Sequence, residues 1–589
     1  MMPATDCRLF ERIGMVAGRA LMMVAVIVLS WDFARARDWF VRPAGGSYGR
    51  ENGRTYTNAW NGLHRIVWGR GGVQPGDTLY VCGLHVHNAV KRVPIVTQAD
   101  IPIVSGAAED ARIVIRGDWP GDAGVVWGAY RMSYERWRPE GGGVWSITLP
   151  GDSFPDWFFQ DIGTSGPLSH IVLDKAAGLE ELRRHPGSHF SPDYRSGSRL
   201  YVHCSDGKSP EGRIYGNRYG YQFILGNSRY VTFRNLTFHG VYKLVHQDER
   251  PSYVRWEGCR LAYGEHSLIG FWGHTEGNEV VGCDLEWAAN GIYTIRSPRD
   301  GDKASNSYVF RENRIRNMGV RPSTWDRDAH AIGIQGGANG IIEDNVIEDC
   351  GSGPLLYAFL DQPLTNTMVR RNLIRNLHTL GGASGYGIST QCDNDSLSDK
   401  SGNVFSNNVV VNARVGFRMQ FEDEQTLIHN AAVDCDVGLE STRNFNGTGA
   451  RILLRNTIFH GSRHYHIRWA SGATDMMIDS DYNCFYPATG KMFNFRGKDS
   501  DLSGWRRISS QRVGVRLDRH SISEMSLFLN GSGDFSAWAD FLAAPGSPVI
   551  GAGTCFMNLP GIDTIGPVQD SSGSPCVGNS SMPKLTTVR

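Results

Sequence analysis

HAIGIQGGANGIIEDNVIEDC occupies residues 330–350. It holds three short apolar runs parted by glycine, asparagine and aspartate, and nothing in it has the 3.6-residue rhythm of a helix. The phrase recurs down the chain. Its last part follows apolar-x-x-Asn-x-apolar, reading FRENRI at Asn313, IEDNVI at Asn345, VRRNLI at Asn372, FSNNVV at Asn408, LIHNAA at Asn430 and LLRNTI at Asn456. Cys259 and Cys283 fill the slot in two earlier lines and Ser480 in a later one, with successive slots 22 to 36 residues apart. A motif that holds while its period wanders marks a fixed structural rung joined by loops of free length.

The first part of each line is as regular: GIYTI at Gly291, AIGIQ at Ala331, PLLYA at Pro354, GISTQ at Gly387, GFRMQ at Gly416 and GLEST at Gly438. A small or turn residue opens it, and alternation then sends neighbours to opposite faces. Stacked as coils, such lines give each of several parallel sheets one strand per turn and merge their apolar positions into one core. The asparagines are expected at a repeated bend, bonded to backbone above and below as a ladder. Cys259 and Cys283 then stack as structural thiols, a strained disulfide being the alternative.

Composition agrees. Of 589 residues 71 are glycine, and 60 basic side chains balance 60 acidic ones. Zero net charge implies no field-driven partnership with nucleic acid or anionic membrane. Arg8, Arg12 and Arg19 precede the apolar run ALMMVAVIVLSW, and ARA at Ala34–Ala36 offers small residues at the −3 and −1 positions of a cleavage site. Residues 1–36 therefore read as a signal peptide and the mature chain as secreted or periplasmic; an uncleaved anchor is the rival, though the run is shorter than the about 20 residues a span needs. No membrane span is expected after cleavage. Eleven cysteines are present, Cys7 among them in the leader, and none has zinc-ligand spacing.

These repeats resemble the right-handed parallel β-helix of the pectate-lyase-like superfamily. The likeness extends to VQPGDTLYVCG at Val73–Gly83, ARIVIRGDWPGDAGVVWGA, GSRLYVHCSDGKSP, YVTFRNLTFHG, DYNCFYP and FLAAPGSPVIGAG. It implies an all-β solenoid of about ten or more coils with an irregular insertion near the N-terminus. The expected divisions are coils at 37–130, an aromatic-rich insertion or irregular coils at 131–222, a regular β-helix at 223–486, closing coils at 487–566 and a flexible tail at 567–589. The superfamily includes lyases, hydrolases, epimerases and fibres, so fold alone assigns no activity. The motifs of alginate and chondroitin lyases and of polygalacturonases are missing, as is the DPHD tetrad of mannuronan epimerases, which DRDAH only echoes.

In such a solenoid the outward face of one sheet makes a groove for a long polymer. With Ile292, Ile332, Leu355, Ile388, Phe417 and Leu439 inward, the outward set is Tyr293, Gly333, Leu356, Ser389, Arg418 and Glu440. The next outward set is Ile295, Gln335, Ala358, Gln391, Gln420 and Thr442. Acids follow on the turn: Asp361, Asp393, Asp395, Glu422, Asp423 and Glu424. Amides, carboxylates, arginine and aromatics suit sugar hydroxyls and ring faces. Substrate contacts are expected from Tyr293, Arg296, Trp325, Gln335, Tyr357, Gln391, Gln420 and Glu440. The plain alternatives are an amide ladder for the glutamines, an Arg418–Glu440 ion pair and solvated loop acids.

Catalysis has two candidate clusters. In TWDRDAHAIGIQ, Asp328 orients His330 as a general base or acid at the groove edge, or His330 merely caps the strand. At a coil spacing of about 4.8 Å, Asp393 and Glu422 lie roughly 5 Å apart and Asp361 and Glu422 roughly 10 Å, distances that allow either glycosidase geometry. Calcium on Asp361, Asp393 and Glu422 is the alternative use of those oxygens; no cofactor is otherwise required. Arg418 or Arg296 would neutralise a uronate carboxylate. His266 and His274 form a weaker candidate. The expectation is a monomeric enzyme that cleaves an extracellular, slightly favoured acidic, polysaccharide by hydrolysis or elimination. A non-catalytic glycan-binding or surface-structural solenoid, or an epimerase, is the alternative.

Overall fold

A computed structural model describes residues 36–554 and 566, apart from 88–98, 133–134, 150–156, 164–169, 194–196, 217–220, 241–249, 265–266, 296–305, 321–328, 359–361, 380–384, 393–397, 443–449, 470–476, 488–489, 509–515 and 531–535. One coil shows how the chain turns. Ile341–Glu343 lies in the first sheet, Val346–Glu348 in the second and Ser352–Ala358 in the third. A left-handed residue makes each of the first two corners, Asp344 and Asp349, both at φ 55°. A third, Asn366 at φ 52°, precedes the next first-sheet strand, Met368–Arg370. The register repeats without slip: Ile342 faces Val369 and Ile347 faces Ile374, all four fully buried. The chain is a right-handed parallel β-helix.

Left-handed corners recur at Gly258, Gly282, Glu312, Arg371, Asn407, His429, Asn456 and Tyr482. Glutamate, arginine, histidine and tyrosine are poor choices for that region, where an ordinary side chain costs roughly 1–2 kcal/mol. The coil imposes the conformation; local preference does not. What makes the corner affordable is the residue that follows it.

That residue is the expected asparagine. Asn313, Asn345, Asn372 and Asn408 each donate from Nδ2 to Oδ1 of the asparagine one coil on, at 2.9, 2.9, 2.9 and 3.1 Å, ending at Asn430. Each Oδ1 also takes the main-chain N–H of the rung before it, as Asn345 N–H to Asn372 Oδ1 at 3.1 Å. Each Nδ2 also reaches a carbonyl of the preceding coil, as Asn372 to Ile342 O at 3.0 Å. The ladder thus satisfies buried polar groups that a bend would otherwise strand.

The late rungs differ from expectation by position. Leu427 pairs with Leu454 and Ile428 with Arg455, so Asn456 takes the left-handed corner and Thr457 the rung. Thr457 N–H donates to Asn483 Oδ1 at 2.9 Å, which makes Asn483 the next rung. Ser480 instead sits on the strand and donates to buried Asp518. At the first place two adjacent polar residues hid the slip; at the second, Ser480 lies three residues before the true rung, Asn483. Cys259 and Cys283 occupy successive rungs as free thiols.

A second constraint shapes the third sheet. A Cβ on Gly291, Gly353, Gly387 or Gly416 would stand 2.1 to 2.6 Å from a carbonyl oxygen of the next coil. These glycines are required by space, not by φ, and they let the chain bend into the third sheet against the core.

The stack runs through the N-terminal insertion. Ile113–Arg116 pairs directly with Val231–Arg234. Between them a mixed, mostly antiparallel five-stranded sheet encloses its own core of Met132, Trp137, Ile147, Leu200 and Val202. Aromatics close both ends: Trp39 stacks on Trp60 at 5.2 Å, and Trp505 of the helix Leu502–Ile508 stacks on Phe493 at 5.2 Å. Among the described residues no helix is long and apolar enough to cross a membrane.

Two outcomes follow for stability. Asn372→Ala strands the Asn345 amide and main-chain donors in the interior, at roughly 1–3 kcal/mol per lost partner; urea unfolding should show a loss of about 3 kcal/mol. The second concerns acid. Buried His466 donates from Nε2 to Pro487 O at 2.8 Å while Nδ1 faces Ser462 Oγ at 3.0 Å. Burial lowers its pKa from 6.5 to about 4, against the pull of the Pro487 carbonyl. The unfolded chain takes up this proton below 6.5 and the native chain only near 4, so stability falls as pH drops through that window. Unfolding of wild type and His466→Gln at pH 7 and 4.5 should show a smaller acid loss in the variant.

Candidate functional site

The third sheet carries the expected outward columns once its register is read from pairing. Tyr293 faces Gly333, Gly333 faces Leu355, Leu355 faces Ser389, Ser389 faces Arg418, Arg418 faces Glu440 and Glu440 faces Arg468. One coil departs from the sequence expectation. Leu355 lies in the outward column, and Leu356, opposite Ile334, is in the core. Pro354 takes the place opposite Ile332, so the strand is offset by one residue from the reading that put Leu355 inside. The second outward column accordingly runs Trp272, Ile295, then Gln335, Tyr357 and Gln391, with Tyr357 where Ala358 was expected. Ala358 is fully buried.

The two ends of this face differ in chemistry. Upstream, the Tyr293 ring lies across Gly333, where an added Cβ would meet it at 2.1 Å, and the Tyr293 hydroxyl accepts from Gln335 Nε2 at 2.9 Å. Tyr293 is only 2% exposed. It forms floor here and offers no open face for a sugar. Downstream the face is cationic. The Arg418 guanidinium lies 4.9 Å over the Tyr386 ring and that of Arg414 4.5 Å over the same ring. Arg418 makes no ion pair with any described residue. The Arg418–Glu440 pair is not formed: Glu440 is held by Arg468 of the following coil, Nε to Oε1 at 2.8 Å.

Glu422 lies at the end of this face and is also engaged. Lys400, fully buried, places Nζ 2.8 Å from Glu422 Oε1, and its main-chain N–H donates to Asp423 at 2.8 Å. Cys392 Sγ stands 3.8 Å from Glu422 Oε2, and Cys392 N–H donates to Gln420 Oε1 at 3.3 Å. The sequence places Glu422 on the turn after the strand as a candidate catalytic acid; the fold keeps it at that end of the face, clamped by Lys400. His330 opens its strand at 6% exposure, its main-chain N–H donating to Asn290 Oδ1 at 3.0 Å. It is buried, not presented at an open edge.

Asp328, Trp325, Arg296, Asp361 and Asp393, with Asp326, Asp395 and His266, lie outside the described residues. Among the described residues no group of three or more His, Cys, Asp or Glu could hold a metal ion. Sequence reasoning missed Tyr386, Arg414, Lys400 and Arg468. Tyr386 and Arg414 stand at the openings of their lines and were open to the same alternation argument. Lys400 gave no signal, because its contact with Glu422 arises only when coils stack.

Another recess, of about 470 Å³, lies over the first coil and is lined by residues including Arg37, Trp39, Arg54, Tyr56 and Trp119. Its rings are engaged with one another: Tyr56 stacks on Trp119 at 5.5 Å and carries Arg42 over its ring at 4.2 Å.

Thiol chemistry is disfavoured at the described cysteines. All eight are free and buried, and burial pushes Cys350 and Cys435 up to about 12. Maleimide at pH 8 should leave these eight unlabelled in the native protein and modify them all in denaturant, as read by peptide mass spectrometry.

Residues 213–448 match the family of the right handed beta helix region. No curated protein matches the chain. Among solved structures, a complex of XylC with xylose shares 11% identity, covers 83% of this chain and 86% of its own, and superposes at a TM-score of 0.48. A pectate lyase shares 12%, with 91% and 97% covered, at 0.41. A GH136 lacto-N-biosidase from Eubacterium ramulus shares 10%, with 75% and 68% covered, at 0.39. Likeness of this degree concerns the solenoid and transfers no activity.

Proposed function

We propose that this β-helix is an exported carbohydrate-active protein that binds an extracellular polysaccharide along its third sheet and cleaves its glycosidic bonds, by hydrolysis or elimination. The observation that carries the proposal is the downstream face, where Arg418 stands on Tyr386 with no carboxylate partner among the described residues. Half-buried Gln391 and Tyr357 follow in line on neighbouring coils. A guanidinium beside amides and an aromatic ring recognises hydroxyls and, above all, a sugar carboxylate. Acidic polymers are the preferred substrate class on this ground.

A second reading has its own support. Glu422 and Glu440 are each held by a cation, which suits a glycan-binding solenoid with no chemistry of its own. The two readings separate by experiment. The purified protein is offered neutral and acidic polysaccharides, with retention in affinity electrophoresis, reducing ends and the ultraviolet absorbance of unsaturated uronides measured together. New reducing ends or unsaturation establish cleavage; retention without either establishes a binder. Arg418→Ala should weaken retention or kcat/KM on the acidic polymer by on the order of 10- to 100-fold, the worth of one charge-assisted bond of about 1.5–3 kcal/mol, and leave a neutral polymer unaffected. An unchanged acidic polymer in that variant defeats the proposal.

A further inference from the structure

The stack begins with a carboxylate that pairs with no cation among the described residues. Asp77 is 4% exposed and accepts three N–H groups: from Arg37 main chain at 2.9 Å, Trp39 Nε1 at 2.8 Å and Gln74 main chain at 2.9 Å. All three donors are neutral, and no lysine, arginine or histidine among the described residues pairs with it. A carboxylate withdrawn from water is poorly placed without a counter-charge. Arg37 is fixed on its other side too, its carbonyl accepting Thr78 N–H at 2.9 Å. The next residue opens the first strand, Asp38–Arg42, while Ala36 and Arg37 are exposed.

The donor nearest solvent is thus the main-chain nitrogen of the residue that follows Ala34-Arg35-Ala36, the small-x-small pattern of a leader-processing site. We propose that the chain is matured by hydrolysis of the Ala36–Arg37 peptide bond and that the α-ammonium released at Arg37 pairs with Asp77, completing the first coil. Water is the co-reactant: its hydroxyl goes to the Ala36 carbonyl carbon, the C–N bond breaks, and the Arg37 nitrogen takes one proton from water and a second from solvent. The peptidase is of the class that reads small residues at −3 and −1. The nitrogen needs no relocation, because its neutral N–H already points at Asp77. This inference is independent of the polysaccharide reading.

The full chain is expressed with export, and the product's amino terminus is determined by sequencing and intact mass. Arg37 is expected as the first residue; a product that keeps Met1 or starts elsewhere overturns the proposal. The α-amine of the native product is then titrated by competitive acetylation across pH with peptide readout. Pairing predicts half-reaction about one pH unit above the ordinary 7.7–8.0, and an ordinary value overturns it. Asp77→Asn should return the amine to its ordinary range. It should also lower the unfolding midpoint more at pH 7 than at pH 10, since a raised amine contributes below its unfolded pKa and is lost as pH rises through the folded one. If that variant does not fold, the wild-type titration still decides.

Discussion

The structure depends on how a parallel solenoid turns its corners. Every coil must bend sharply between sheets, and each bend leaves main-chain groups facing the interior, where water cannot reach them. The asparagine column answers this by making each amide serve three neighbours: a rung on either side and a carbonyl of the preceding coil. An amide suits that task because one planar group carries both a donor and an acceptor. The same column fixes the register of all three sheets, since a rung displaced by one residue would move every inward side chain to the outside.

From that register the candidate site inherits its order. Arg418, Glu440 and Arg468 come from separate lines of sequence, yet they stand in one column because their rungs are stacked. The crowded glycines at the entry to the third sheet bring that sheet against the core, where a Cβ at Gly291, Gly353, Gly387 or Gly416 would strike a carbonyl of the next coil. Its outward face is therefore a regular array on a stiff support. The arrangement also settles partners that a single coil leaves open: Glu440 belongs to the coil after it, and Glu422 to a lysine from the coil before it.

Much of this was legible in the order of residues. The rung spacing, the inward apolar positions and the identity of the outward columns at Tyr293, Gly333, Ser389, Arg418 and Glu440 all follow from alternation and repeat. Besides Ser480, which stands on the strand three residues before its rung, two places misled, each for a physical reason. In PLLYA two adjacent leucines satisfy either phase of the alternation, and only pairing with Ile334 shows which one is inside. In RNT, Asn456 mimics a rung while Thr457 occupies it. A pattern of period two cannot choose between equivalent neighbours; the strand beside it can.

What the sequence determined by itself is the class of object: a stack of short parallel strands with an apolar axis, asparagines at one bend and a polar flank. Those are properties of composition and period, and both survive in one dimension. Only the tertiary structure decided which carboxylates are already held, that Tyr293 is floor and His330 buried, and that Arg418 stands on Tyr386 without an ion pair among the described residues. These are relations between residues many positions apart, set by which coil lies next to which, and loops of free length erase that information from the linear chain.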